Sequence, residues 1–158
     1  VAAAIIGIAV AWSPALVSDA MAFDETSVAA VNVDANGLAM RGYDPVTYHT
    51  SGNPTVGDPA ITAVYEGATY RFATSGNQEL FVADPAKYAP AFGGFCAMGT
   101  ALEKKFDGDP NVWRIVDGTL YLNVGEPAQK RFLEDVPGNI TKATTNWPKI
   151  KDKAPKDL

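Results

Sequence analysis

The sequence predicts an α+β domain, a small antiparallel sheet of hairpins with several short helices packed on it. Three observations carry that reading. Asp117-Gly118 sits between two apolar runs, residues 113–116 and 119–122, and Asp-Gly is among the strongest local signals for a two-residue hairpin. Residues 63–66 and 68–73 alternate around Gly67 in the same way, placing Val64, Tyr70 and Phe72 where two short strands could share a buried face. Apolar residues at helical spacing then follow each strand pair: Leu80, Phe81 and Ala83 after the first, Phe132 and Leu133 after the second.

Along the chain, the first 22 residues read as a signal peptide. Residues 1–11 are continuously apolar, and Ala20-Met21-Ala22 has the small residues of an export cleavage site. The run is shorter than the roughly 20 residues a membrane-spanning helix needs, so any membrane contact is expected only through an uncleaved signal segment. Export implies a periplasmic or secreted protein. Residues 23–36 show no regular apolar spacing and are expected to form an N-terminal arm, with the domain proper over residues 37–148. Asp44 is placed to cap a short helix with Pro45 at its first position. Residues 50–59 are turn-forming throughout. Ser75 with Gln78 matches a capping box, the following helix stops at Asp84-Pro85, and a single turn ends near Tyr88. Residues 91–100 are too rich in glycine to predict a stable helix. Residues 127–134 and 137–147 predict two further helices, the second with Ile140, Ala143 and Trp147 inward and Pro148 closing it. Residues 149–158 read as a charged, solvated tail. No internal repeat or low-complexity tract is evident.

Composition excludes several function classes. The chain has 158 residues, 47% hydrophobic and 20% charged, with a net charge of −5. That suits one folded domain and argues against nucleic acid as a partner, because phosphate binding needs a concentrated positive surface. One Cys and one His exclude a disulfide scaffold, Cys-rich zinc sites and His clusters within one chain. Asp107, Asp109 and Asp117 lack the ligand series of an EF-hand loop, and turn capping accounts for them.

Three stretches together resemble the YHS domain family: Gly42-Tyr43-Asp44-Pro45-Val46; residues 68–72 leading into Phe81-Val82-Ala83-Asp84-Pro85-Ala86-Lys87-Tyr88; and Gly93-Gly94-Phe95-Cys96. Residues 93–147 are similar to the longer, exported bacterial members. The resemblance implies a compact α+β fold with helices on one side of a small sheet. Metal-associated members carry cysteines after the Asp-Pro-Val and around the strand-to-helix turn. Here those places hold Thr47 and Tyr48, then Ala73, Thr74 and Asn77, so the family's usual metal site does not carry over.

The single thiol is therefore the sharpest chemical feature. Cys96 and Met98 are two apart, so on an extended strand they would face one side, and a thiolate with a thioether suits Cu(I). His49 or Met40 would complete such a site. The competing expectations are that Cys96 packs as a small apolar residue beside Met98, or that two Cys96 thiols join a homodimer. His49 itself follows Tyr48 into a polar turn and reads more readily as an exposed loop residue than as a ligand. Tyr43, Asp44, Tyr48, Phe95 and Trp113, with Phe92, lie near glycine-rich turns and form the candidate lining for a small apolar ligand. No nucleophile, base and acid fall into a catalytic pattern. The sequence thus describes a module that binds rather than transforms, its ligand a copper ion or, with Cys96 structural, a small molecule or a partner protein.

Overall fold

Both predicted hairpins form, in a computed structural model that describes residues 23–158. Strand β1 (Asp58–Tyr65) pairs antiparallel with β2 (Ala68–Phe72), Tyr65 opposite Ala68, and β3 (Asp109–Val116) pairs with β4 (Thr119–Asn123), Val116 opposite Thr119. The turn residues Glu66-Gly67 and Asp117-Gly118 all have positive φ, at 49° and 77° and at 50° and 78°, as a two-residue turn that matches strand twist requires. The hairpins remain two separate two-stranded sheets. With six helices around them they make a single α+β domain, as the sequence predicts. The predicted signal peptide lies outside the described residues.

The helices are α1 (Thr47–Thr50), α2 (Ser75–Ala83), α3 (Pro85–Tyr88), α4 (Ala97–Ala101), α5 (Glu126–Glu134) and α6 (Val136–Ile150). Thr74, not Ser75, caps α2: its hydroxyl accepts from the Asn77 amide at 3.1 Å, while Gln78 reaches across to the Thr62 carbonyl. Asp84 and Asp135 cap α3 and α6 through the amides of Lys87 and Gly138. Helix α6 runs past Pro148 to Ile150, which is buried. Helix α4 corrects the expectation for residues 91–100. The glycines Gly93 and Gly94 lie in the turn before it, and α4 itself is fully buried, so packing overrides weak propensity.

The expectation of no internal repeat is overturned. Every strand and α-helix from β3 onward begins 51 residues after a counterpart: β1 at 58 and β3 at 109, β2 at 68 and β4 at 119, α2 at 75 and α5 at 126, α3 at 85 and α6 at 136. The sequence carries the same offset in Gly57-Asp58-Pro59 and Gly108-Asp109-Pro110, Gly67 and Gly118, Tyr70 and Tyr121, Gln78 and Gln129, Phe81 and Phe132, and Asp84 and Asp135. The Tyr–Phe pairs keep the same 37° tilt in both halves, with ring centroids 5.0 and 5.8 Å apart. Upstream of each hairpin, three consecutive residues have positive φ, Met40-Arg41-Gly42 and Phe92-Gly93-Gly94, and lead into Tyr43-Asp44 and Phe95-Cys96. Here the offset is 52, so the linking loops differ by one residue. The loops close alike: the Asp44 amide donates to the Thr55 carbonyl at 2.8 Å, and the Cys96 amide to the Phe106 carbonyl at 2.9 Å.

Two clusters form the core. The first gathers Met40, Val46, Tyr48, Tyr70, Phe72, Phe81 and Tyr88 with Leu120 and Leu122 of β4, so it spans both halves. The second gathers Cys96, Ala97, Met98, Ala101, Tyr121, Phe132 and Ala143. Neither terminal segment behaves as a free arm or tail. Val31 is buried in the first cluster, the Asn32 amide donates to the Gly93 carbonyl at 2.8 Å, and Ile150 and Ala154 are buried. No described helix is long and apolar enough to cross a membrane.

Candidate functional site

Cys96 is the N-cap of α4 and is fully buried. Its Sγ accepts from the Gly99 amide at 3.3 Å and lies 3.5 Å from Asn123 Oδ1, to which the thiol donates. Burial pushes the thiol pKa up, against smaller opposing contributions from nearby backbone amides, so the protonated form that this donation needs is the favoured one. Asn123 Oδ1 also accepts from the Met98 amide at 3.1 Å, and its amide nitrogen donates to Gln129 Oε1 at 3.4 Å. The first half solves the same problem with one residue. Asp44, equally buried, accepts from the Val46 amide and the Ala73 amide, both at 2.8 Å, and from Asn77 Nδ2 at 2.7 Å. Val46 and Met98 are equivalent, so the Asp44 carboxylate is replaced in the second half by a thiol and an amide acting together. That is a structural arrangement.

The predicted metal donors do not converge. Met98 is the second residue of α4 rather than part of an extended strand, so the period-two reasoning that put its thioether beside the Cys96 sulfur does not apply. Met40 belongs to the first core cluster. His49 is not in an exposed loop: it sits in α1 with its ring edge-on to Tyr88, centroids 5.3 Å apart. Its Nε2 is buried without a hydrogen-bond partner. Burial, opposed by the backbone of Tyr88 and helped by a smaller push from Lys87, holds the His49 pKa below its ordinary value. Among the described residues, no three His, Cys, Asp or Glu side chains gather as a metal site would need.

The predicted aromatic lining is also dispersed, because its members join the halves. Tyr48 is buried edge-on against Trp113, centroids 5.2 Å apart, and its hydroxyl donates to the Pro110 carbonyl at 2.8 Å. Burial raises the Tyr48 pKa strongly, so the phenol stays protonated and able to donate. Tyr43 accepts from Asn111 Nδ2 at 3.2 Å, and Arg41 beside it pairs with Asp107 at 2.5 Å. Phe95 is buried between Phe23 and Trp147.

Of the predicted aromatics, Phe92 lines an open cleft. A cleft of about 450 Å³ lies where the halves and both terminal segments meet, lined by Tyr65, Tyr70, Phe92 and Trp147, with Glu66 and Lys151 among its polar groups. Phe92 and Trp147 lie 5.9 Å apart, centroid to centroid. The volume falls within the range of about 300–1,000 Å³ typical of small-molecule sites. The sequence offered no direct signal for this cleft, because its walls come from the β1–β2 turn, the linker at residues 89–93 and the far end of α6. The repeat could have revealed the junction, since the chain segment between two copies of a unit is where such a cleft forms.

No family model, curated protein or solved structure matches this chain.

Proposed function

We propose that this chain is an exported, YHS-like binding module whose ligand is a small organic molecule with an aromatic or apolar body and a polar end, held in the cleft between the two halves. The observation that carries the proposal is the cleft itself: the half-buried rings of Tyr65, Phe92 and Trp147 converge, with buried Tyr70 behind them, on a space of ligand size, with one carboxylate and one ammonium beside them. Apolar rings supply contact area, and Glu66 and Lys151 supply orientation. Copper at Cys96 is the weaker reading, because a metal there would have to displace the Gly99 and Asn123 contacts from a fully buried sulfur.

Titration of the 15N-labelled protein with tryptamine and with indole-3-acetate tests this. Both carry the same ring and opposite charges, so their relative affinities also report whether Glu66 or Lys151 dominates. Saturable shifts at Phe92, Gly93 and the Trp147 indole support the reading. Shifts spread over the whole surface, or none with either probe, count against it.

A further inference from the structure

A buried cation stands behind the cleft wall. Lys105 is only 2% exposed. Its ammonium donates to the carbonyl oxygens of Ala29 at 2.9 Å, Lys151 at 2.9 Å and Lys153 at 2.8 Å, and lies 4.6 Å from the centroid of the Phe95 ring. An ammonium has three N–H donors, and all three are used. Three carbonyl dipoles and the ring face replace the water that burial removed.

The acceptors come from two segments far apart in sequence, and both wall the cleft. Ala29 precedes Ala30, which lines it, and Lys151 lines it directly. The same two segments are tied a second time by the Lys156 amide donating to the Glu25 carbonyl at 3.0 Å. On its other side the N-terminal segment is seated on Gly93, where a Cβ would collide with the Ala30 carbonyl oxygen. Gly93 also has a φ of 61°, a conformation that glycine adopts at little cost.

We propose that Lys105 is a positioning residue for the cleft: its ammonium clasps the N-terminal and C-terminal segments so that Ala30 and Lys151 are held in the cleft wall beside Phe92 and Trp147. The consequence for binding rests on the cleft being the ligand site, whereas the clasp does not. Packing alone would be preserved by methionine, which is unbranched and of similar length. The clasp needs the donors.

Amide hydrogen exchange on the 158-residue chain, with Lys105→Met and Lys105→Gln compared to the unmodified protein, separates the two. The clasp predicts exchange at Lys156 and Asn32 faster by about tenfold or more in Lys105→Met and by less in Lys105→Gln, with the amides of β2 and β4 unchanged. It also predicts weaker binding of whichever indole probe the unmodified protein takes up. Unchanged exchange at Lys156 and Asn32 in both variants would overturn it, as would global unfolding of both, which would make Lys105 part of the core. If the unmodified protein binds neither probe while exchange responds as expected, the cleft reading fails and the clasp stands.

Discussion

Cys96 occupies in the second half of the fold the place that Asp44 occupies in the first: each precedes a short helix, each has its amide bound to the loop ahead of the hairpin, and each accepts a hydrogen bond from within that helix or its entry. A carboxylate with three donors on it holds more than a thiol with one. Replacing Asp44 by alanine leaves the Val46 and Ala73 amides and the Asn77 side chain without their acceptor, and is expected to cost about 3 kcal/mol or more. Cys96→Ala removes a weaker cap and a smaller volume, for about 1–2 kcal/mol. Urea denaturation of both variants checks the order, which an equal or larger loss at Cys96 would contradict.

The Cys96 thiol is expected to be unreactive in the native protein. It is 0% exposed and its pKa is raised, so little thiolate forms and little of it can be reached. Labelling with a thiol reagent at pH 8 should proceed only as fast as the protein opens, and should become fast in denaturant. Rapid stoichiometric labelling without denaturant would restore the metal and redox readings.

His49 should make stability fall in mild acid. Its pKa in the folded state lies below the unfolded value of about 6.5, so the unfolded chain binds the proton more readily. The contribution of neutral His49 is therefore complete above about pH 6.5 and is lost as the pH falls from there through the lowered native value. Thermal midpoints between pH 7.5 and 5 should decline less steeply in His49→Phe than in the unmodified protein. Parallel declines would mean that the carboxylates alone set the acid side.

Gly93→Ala should loosen the N-terminal segment. The new Cβ would meet the Ala30 carbonyl, and the positive φ adds strain. Faster amide exchange at Asn32, whose N–H donates to the Gly93 carbonyl, is the expected reading, with the hairpins protected as before.

The two hairpins were legible because turn chemistry is local: Glu66-Gly67 and Asp117-Gly118 dictate their own backbone. The starts of the helices after them were legible to within a residue, with Thr74 rather than Ser75 as the cap of α2, but α6 runs three residues past its expected end, through Pro148 to Ile150. What the sequence withheld depends on contacts between distant residues. Helix α4 exists because it is buried, Val31 and Ile150 belong to the core because the segments around them pack back onto it, and Cys96 lost its metal-like surroundings to Asn123, 27 residues away. The repeat is a different case. It was present in Gly-Asp-Pro, Gly, Tyr, Gln, Phe and Asp at one constant offset, but only the matching element boundaries made those scattered identities readable as two copies of one unit.

The central claim, that the cleft and not Cys96 receives the ligand, is tested most directly by one set of 1H–15N spectra in which tryptamine, indole-3-acetate and, anaerobically, Cu(I) are titrated into the same sample. The account predicts saturable shifts from an indole probe at Phe92, Gly93 and the Trp147 indole, with Cys96, Met98 and Asn123 unmoved by one equivalent of Cu(I). Stoichiometric Cu(I) shifts at those three residues, with the cleft silent to both indoles, would contradict it.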